Sequence, residues 1–103
     1  MIDFRRLTVV LLVALAPTAA SASPELAKSK NCVACHHGER KMIGPAYKAI
    51  AERYANDTAA SKVLAEKIRK GGGGQWGQSP MPPQAGVSED DADALVKWIL
   101  SQQ

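Results

Sequence analysis

One small domain is the most that 103 residues allow. Hydrophobic residues at 46% against 22% charged exclude a disordered tail, and two cysteines exclude a multi-disulfide framework. A formal charge of +3 is too small to argue for nucleic acid, and a chain this short needs a disulfide, metal, cofactor or partner to staple its core.

Residues 1–22 read as a secretory signal peptide that is cleaved. Arg5 and Arg6 give a positive start, Leu7 to Ala16 is apolar apart from Thr8, and Ala20-Ser21-Ala22 is a small-x-small cleavage site. An uncleaved anchor is the weaker reading, because a span needs about 20 apolar residues and Pro17 interrupts this run. Export places the remaining domain, residues 23–103, in an oxidising compartment, the bacterial periplasm. Its aromatic side chains are Tyr47, Tyr54, Trp76 and Trp98, which is little bulk for an independent core.

Four helices and no strands are predicted for this domain. The first starts at Pro24, with Ser23 as N-cap, and ends near Asn31. The second starts at Pro45 and buries Tyr47, Ile50, Ala51 and Tyr54 at helical spacing. The third runs from about Asp57 to Lys70, with Ala60, Leu64 and Ile68 on one face and Gly71 as the stop. The fourth is capped by Ser88, carries Glu89, Asp90 and Asp91 in its first turn, and buries Ala92, Leu95, Val96 and Ile99. Two long stretches are left irregular: Asn31 to Gly44, with both cysteines and both histidines, and Gly71 to Gly86, rich in glycine and proline around Trp76 and Met81.

Cys32-Val33-Ala34-Cys35-His36 is C-x-x-C-H, the signature of c-type haem attachment. Two thiols at this spacing lie on one side of a helical turn and reach two vinyl groups on one porphyrin edge. The next residue presents an imidazole to the iron. The attached disc then supplies the missing core. A thiol–disulfide redox pair belongs at a strand–helix junction, which this chain lacks. Zinc would need more ligands than His37 adds, and a disulfide across two residues closes almost no loop.

Three side chains are candidates for the iron's second face. His37 is too close in sequence to His36 to wrap to the other side. Met42 belongs to a loop on the same side. Met81 is held between Pro80 and Pro82 beyond a run of glycines that lets the loop approach closely. Core filler is the plain alternative for Met81. If no side chain binds there, the chain is a ligand-binding or catalytic c-type haem protein with an open sixth position. No nucleophile is paired with a base, and Gly71 to Gly74 lacks the strand and Lys-Ser/Thr of a phosphate loop, so no enzyme chemistry is expected from the side chains.

Taken with Lys41-Met42-Ile43-Gly44-Pro45-Ala46-Tyr47, Gln75-Trp76-Gly77, Pro80-Met81-Pro82-Pro83 and Lys97-Trp98-Ile99-Leu100-Ser101-Gln102, the motif strongly resembles the small bacterial class I cytochromes c of the c-551 type, over nearly all of residues 23–103. The resemblance implies an all-α class I cytochrome c fold of about four helices around one covalently bound haem c. It implies a periplasmic one-electron carrier with Cys32 and Cys35 as thioether positions and His36 and Met81 as axial ligands. It further implies a membrane quinol–cytochrome c reductase as donor and a nitrite reductase or terminal oxidase as acceptor, for a monomer without nucleic acid or stable membrane insertion. Position by position, Pro45 matches the proline whose carbonyl accepts from the axial imidazole. Trp76 and Lys67 match residues on the propionate side. Gln84 stands where family members often have an Asn near the methionine sulfur, and Gly86 is an extra residue in that loop. Lys30 and Lys41 neighbour the attachment motif and are expected on a basic docking rim.

Overall fold

The computed structural model describes residues 10–15 and 22–103. Residues 1–22, the expected leader, thus lie largely outside the described residues; within them, Val10 to Leu15 are exposed and have no regular structure. No helix among the described residues is long and apolar enough to cross a membrane.

The described residues form four α-helices, in chain order α1 (Ala22–Ser29), α2 (Tyr47–Arg53), α3 (Ala60–Lys70) and α4 (Glu89–Leu100). A single 3₁₀ turn, Cys32–Ala34, stands between α1 and α2. Helix α4 packs against each of the other three, so the chain is organised around it. Its start matches the sequence reading: the Ser88 hydroxyl accepts from the Asp91 amide at 3.1 Å.

The other helix starts differ, each for a local reason. Helix α1 begins at Ala22, not Pro24, which is tolerated because first-turn amides have no intrahelical acceptor to lose. The Ser23 hydroxyl does not cap it; it donates to the Ala94 carbonyl of α4 at 3.2 Å. Helix α2 begins two residues after Pro45. Its first intrahelical bond is accepted by Ala46, which leaves the Pro45 carbonyl free to point elsewhere. Helix α3 begins at Ala60, because the Asp57 side chain first closes a turn by accepting from the Ala59 amide at 2.9 Å.

The core is small. Ala27, Ala65, Ile68, Val87, Ala92, Leu95 and Val96 form one buried cluster, with Leu26, Leu64, Met81, Trp98 and Cys32 packed at its edge. Among the described residues only Leu95 and Val96 are large and fully enclosed. Most of the other buried positions are alanines, which bury little area each. The protein's own side chains therefore make a thin core, as its composition predicts.

The stretch after α3 holds one feature the sequence did not announce. Gly72 and Met81 form an isolated antiparallel bridge, with the Gly72 amide 3.0 Å from the Met81 carbonyl and the Met81 amide 2.7 Å from the Gly72 carbonyl.

Candidate haem-binding site

A cleft opens between the Cys32–His36 segment, α2, α3, α4 and the loop from Gly71 to Gly86. Much of its wall is apolar, from Ile43, Ile50, Leu64, Ile68, Leu95, Val96 and Ile99. Of the positions singled out in the sequence, Cys32, Cys35, His36, Pro45, Lys67, Trp76, Met81 and Gln84 line it. His37 and Met42 do not; both are exposed.

The 3₁₀ turn sets the cysteines. Asn31 enters it with φ 66° and ψ 18°, a left-handed conformation that asparagine takes more readily than most residues. The His36 amide closes the turn on the Cys32 carbonyl at 3.0 Å. Both cysteines are half-buried and unpaired with each other. Burial pushes the Cys32 thiol above its ordinary range, the opposite of what a reactive redox thiolate needs. No group of three His, Cys, Asp or Glu side chains able to hold a metal ion exists among the described residues, which leaves the zinc reading without support.

The imidazole of His36 is fixed from three sides. Its Nδ1 lies 2.7 Å from the Pro45 carbonyl oxygen, which only accepts. Nδ1 therefore carries the hydrogen, and Nε2 keeps its lone pair. The Tyr47 ring stacks on it at 5.5 Å between centroids and 20° between planes, and Tyr47 meets Trp98 edge-on at 5.0 Å. Gly44 packs against the remaining face: a β-carbon there would sit 2.5 Å from His36 Cε1. Tyr47 itself is buried, its hydroxyl has no hydrogen-bond partner among the described residues, and burial pushes its pKa up to about 12.

Met81 is half-buried against the core, its backbone held by the bridge to Gly72. Gly71 ends α3 with φ 73° and ψ −174°, a region open essentially to glycine alone, and turns the chain straight into that bridge. Lys67 reaches over Gly72 from α3. Trp76 is half-buried, with the Arg53 guanidinium 4.5 Å from its ring centroid. The Gln84 amide nitrogen donates to the Pro82 carbonyl at 2.9 Å, and the Gln84 backbone amide donates to Ile68 at 3.0 Å, so this residue braces the turn after Met81. The Lys30 Nζ donates to the Gly86 carbonyl at 2.9 Å, tying the attachment segment to the end of the methionine loop. Lys41 is exposed.

An apolar cleft, two thiols on one turn, an imidazole with a free Nε2 and a thioether in the wall fit an iron porphyrin attached through its edge. An all-α domain with such a site defines the c-type cytochromes. The cytochrome c family model matches residues 20–103, and the chain belongs to that family. It is 52% identical over 82 residues to cytochrome c-552 of Nitrosomonas europaea, covering 80% of each chain. It is 50% identical over 90 residues to cytochrome c-551 of Pseudomonas aeruginosa, covering 86% of each. The crystal structure of the wild-type Nitrosomonas europaea cytochrome c552 superposes with a TM-score of 0.76 at 51% identity, over 78% of this chain and 99% of that one. The protein is a small haem c electron carrier of the class I fold, and its haem is covalently bound.

Sequence reasoning missed Arg53, Tyr47 as a partner of His36, and the Lys30–Gly86 tie. Arg53 sits in the last turn of a helix, where a cation needs no special explanation.

Proposed function

We propose that the chain is a periplasmic one-electron carrier in which Cys32 and Cys35 form the two thioethers and His36 and Met81 bind opposite faces of the iron. Bound there, haem supplies an Fe(II)/Fe(III) couple. His36 offers Nε2 because Pro45 holds the proton on Nδ1. Met81 offers a soft thioether, which favours the reduced state and raises the potential. The apolar wall disfavours the extra positive charge of the oxidised state in the same direction. Trp76 gives an indole N–H, a pure donor, to a propionate, with Lys67 on the same side and Gln84 behind Met81. With both axial positions taken, there is no room for a substrate, and the role is transfer and not catalysis. The donor is a membrane quinol-oxidising complex and the acceptor a haem nitrite reductase or terminal oxidase. Residues 1–22 direct export and are removed.

The observation that most supports this reading is that His36, with its proton fixed, and Met81, held by its bridge, line one cleft with both cysteines. A visible and near-infrared spectrum of protein purified from the periplasm tests it. Colour that survives acid–acetone extraction and a methionine–iron(III) charge-transfer band are expected. Absence of that band, with ready carbon monoxide binding by the reduced protein, would mean an open sixth position.

A further inference from the structure

Residues 73–80 connect the two partners of the Gly72–Met81 bridge, and they make one hydrogen bond among the described residues. In it Arg53 Nη1 donates to the Gln75 carbonyl at 2.8 Å. The same guanidinium lies 4.5 Å from the Trp76 ring centroid and 5.9 Å from that of Tyr54. The loop cannot hold itself. Gly74 and Gly77 both take positive φ, and no backbone amide between 73 and 80 is bonded within the loop. Arg53 reaches it from the end of α2, a rigid element. A planar guanidinium suits this position, since it can lie over an indole face while an edge N–H points at a neighbouring carbonyl. Two successive loop residues are gripped at once, one by its backbone and the next by its ring.

We propose that Arg53 is a positioning residue that tethers the 73–80 loop to α2 and orients the Trp76 indole at the cleft wall. The link to the cofactor rests on the function proposed above, in which the Trp76 N–H meets a haem propionate. The tether itself rests only on the contacts of Arg53. Arg53 acts through Trp76; its own charge is exposed and screened by solvent.

The test uses holoprotein carrying Arg53→Gln, Arg53→Lys, Trp76→Phe, and Arg53→Gln combined with Trp76→Phe. Amide exchange is read at Gly72 and Met81, the bonded amides at the loop's two ends. Arg53→Gln is expected to quicken both by about tenfold, the loss of one charge-assisted hydrogen bond, and Arg53→Lys to restore part of the protection. The midpoint potential is expected to fall in Trp76→Phe, because a carboxylate without its donor favours Fe(III). It should also fall in Arg53→Gln, but not fall further when Arg53→Gln is added to Trp76→Phe. An equal fall in both backgrounds would mean that Arg53 acts by charge through space, and the positioning role would be overturned. Unchanged exchange at Gly72 and Met81 in Arg53→Gln would overturn the tether. A Trp76→Phe potential equal to wild type would instead remove the propionate role of Trp76 and with it the link from Arg53 to the cofactor, while the exchange data would still decide the tether.

Discussion

Gly71 and Met81 are in such close contact that a β-carbon on the glycine would lie 2.6 Å from the methionine's carbonyl oxygen and 2.8 Å from the nitrogen of Pro83. Both neighbours are backbone and cannot swing aside. The backbone of Gly71 also sits at φ 73° and ψ −174°, where an L side chain costs about 1–3 kcal/mol before any clash. Gly71→Ala should therefore push out the segment that carries Met81. Denaturant unfolding is expected to show a loss of at least about 2 kcal/mol, together with a weakened methionine–iron band. A variant as stable as wild type with its band intact would mean that the loop moves as a rigid unit without cost.

Met81 and Met42 separate cleanly by position. Met81 lines the cleft and Met42 is exposed outside it. Met81→Ala should keep covalent haem, bind cyanide or carbon monoxide readily, and show a much lower midpoint potential. Met42→Ala should change none of these, and stability by no more than about 0.5 kcal/mol. The reverse pattern in the near-infrared spectrum would reassign the ligand.

Tyr47 gives the fold an alkaline limit. Its pKa is raised from 10.0 to about 12, chiefly by burial. Below pH 10 the phenol is neutral both folded and unfolded, and the full stability is present. As pH rises from about 10 to about 12 the unfolded chain releases this proton and the native state does not, so stability is lost. One proton over that window is worth about 2–3 kcal/mol. Tyr47→Phe should flatten this part of the pH–stability curve. At pH 7 it should cost little, because the hydroxyl it removes has no partner among the described residues. Equal alkaline slopes for wild type and variant would show that other groups carry the transition.

Lys30 and Lys41 should now behave differently. Lys30 is tied to the Gly86 carbonyl, so Lys30→Glu should lower stability by about 1–2 kcal/mol and loosen the end of the methionine loop. Lys41 is exposed and unbonded among the described residues, so Lys41→Glu should leave stability unchanged and slow electron transfer to an acidic partner, with the loss shrinking as salt rises. Stopped-flow rates across a salt series and urea unfolding of both variants would check the split. Rates at low salt that ignore Lys41→Glu would move the docking face elsewhere.

The attachment motif, the four helices and the thinness of the core were legible in the residues because each is written locally. Cys32 to His36 carry their chemistry in a spacing. Ala92, Leu95 and Val96 mark a buried stripe by a period of 3.6 residues, and Ser88 caps its helix through a bond that spans three residues. The start of α2 was misplaced by two residues because Pro45 reads as a helix opener until its carbonyl is seen bonded to His36, nine residues back. The bridge between Gly72 and Met81, the grip of Arg53 on Gln75 and Trp76 across 22 residues, and the tie of Lys30 to Gly86 across 56 leave no trace in any window of sequence. A single hydrogen bond contributes about 1 kcal/mol and imposes no period on its neighbours. The sequence by itself determined the attachment motif of the family, the presence of four helices and the buried stripe of α4. Only the tertiary structure decided which backbone carbonyl, glycine or guanidinium holds each of those residues in place, because that depends on how all the helices and loops settle against α4 at once.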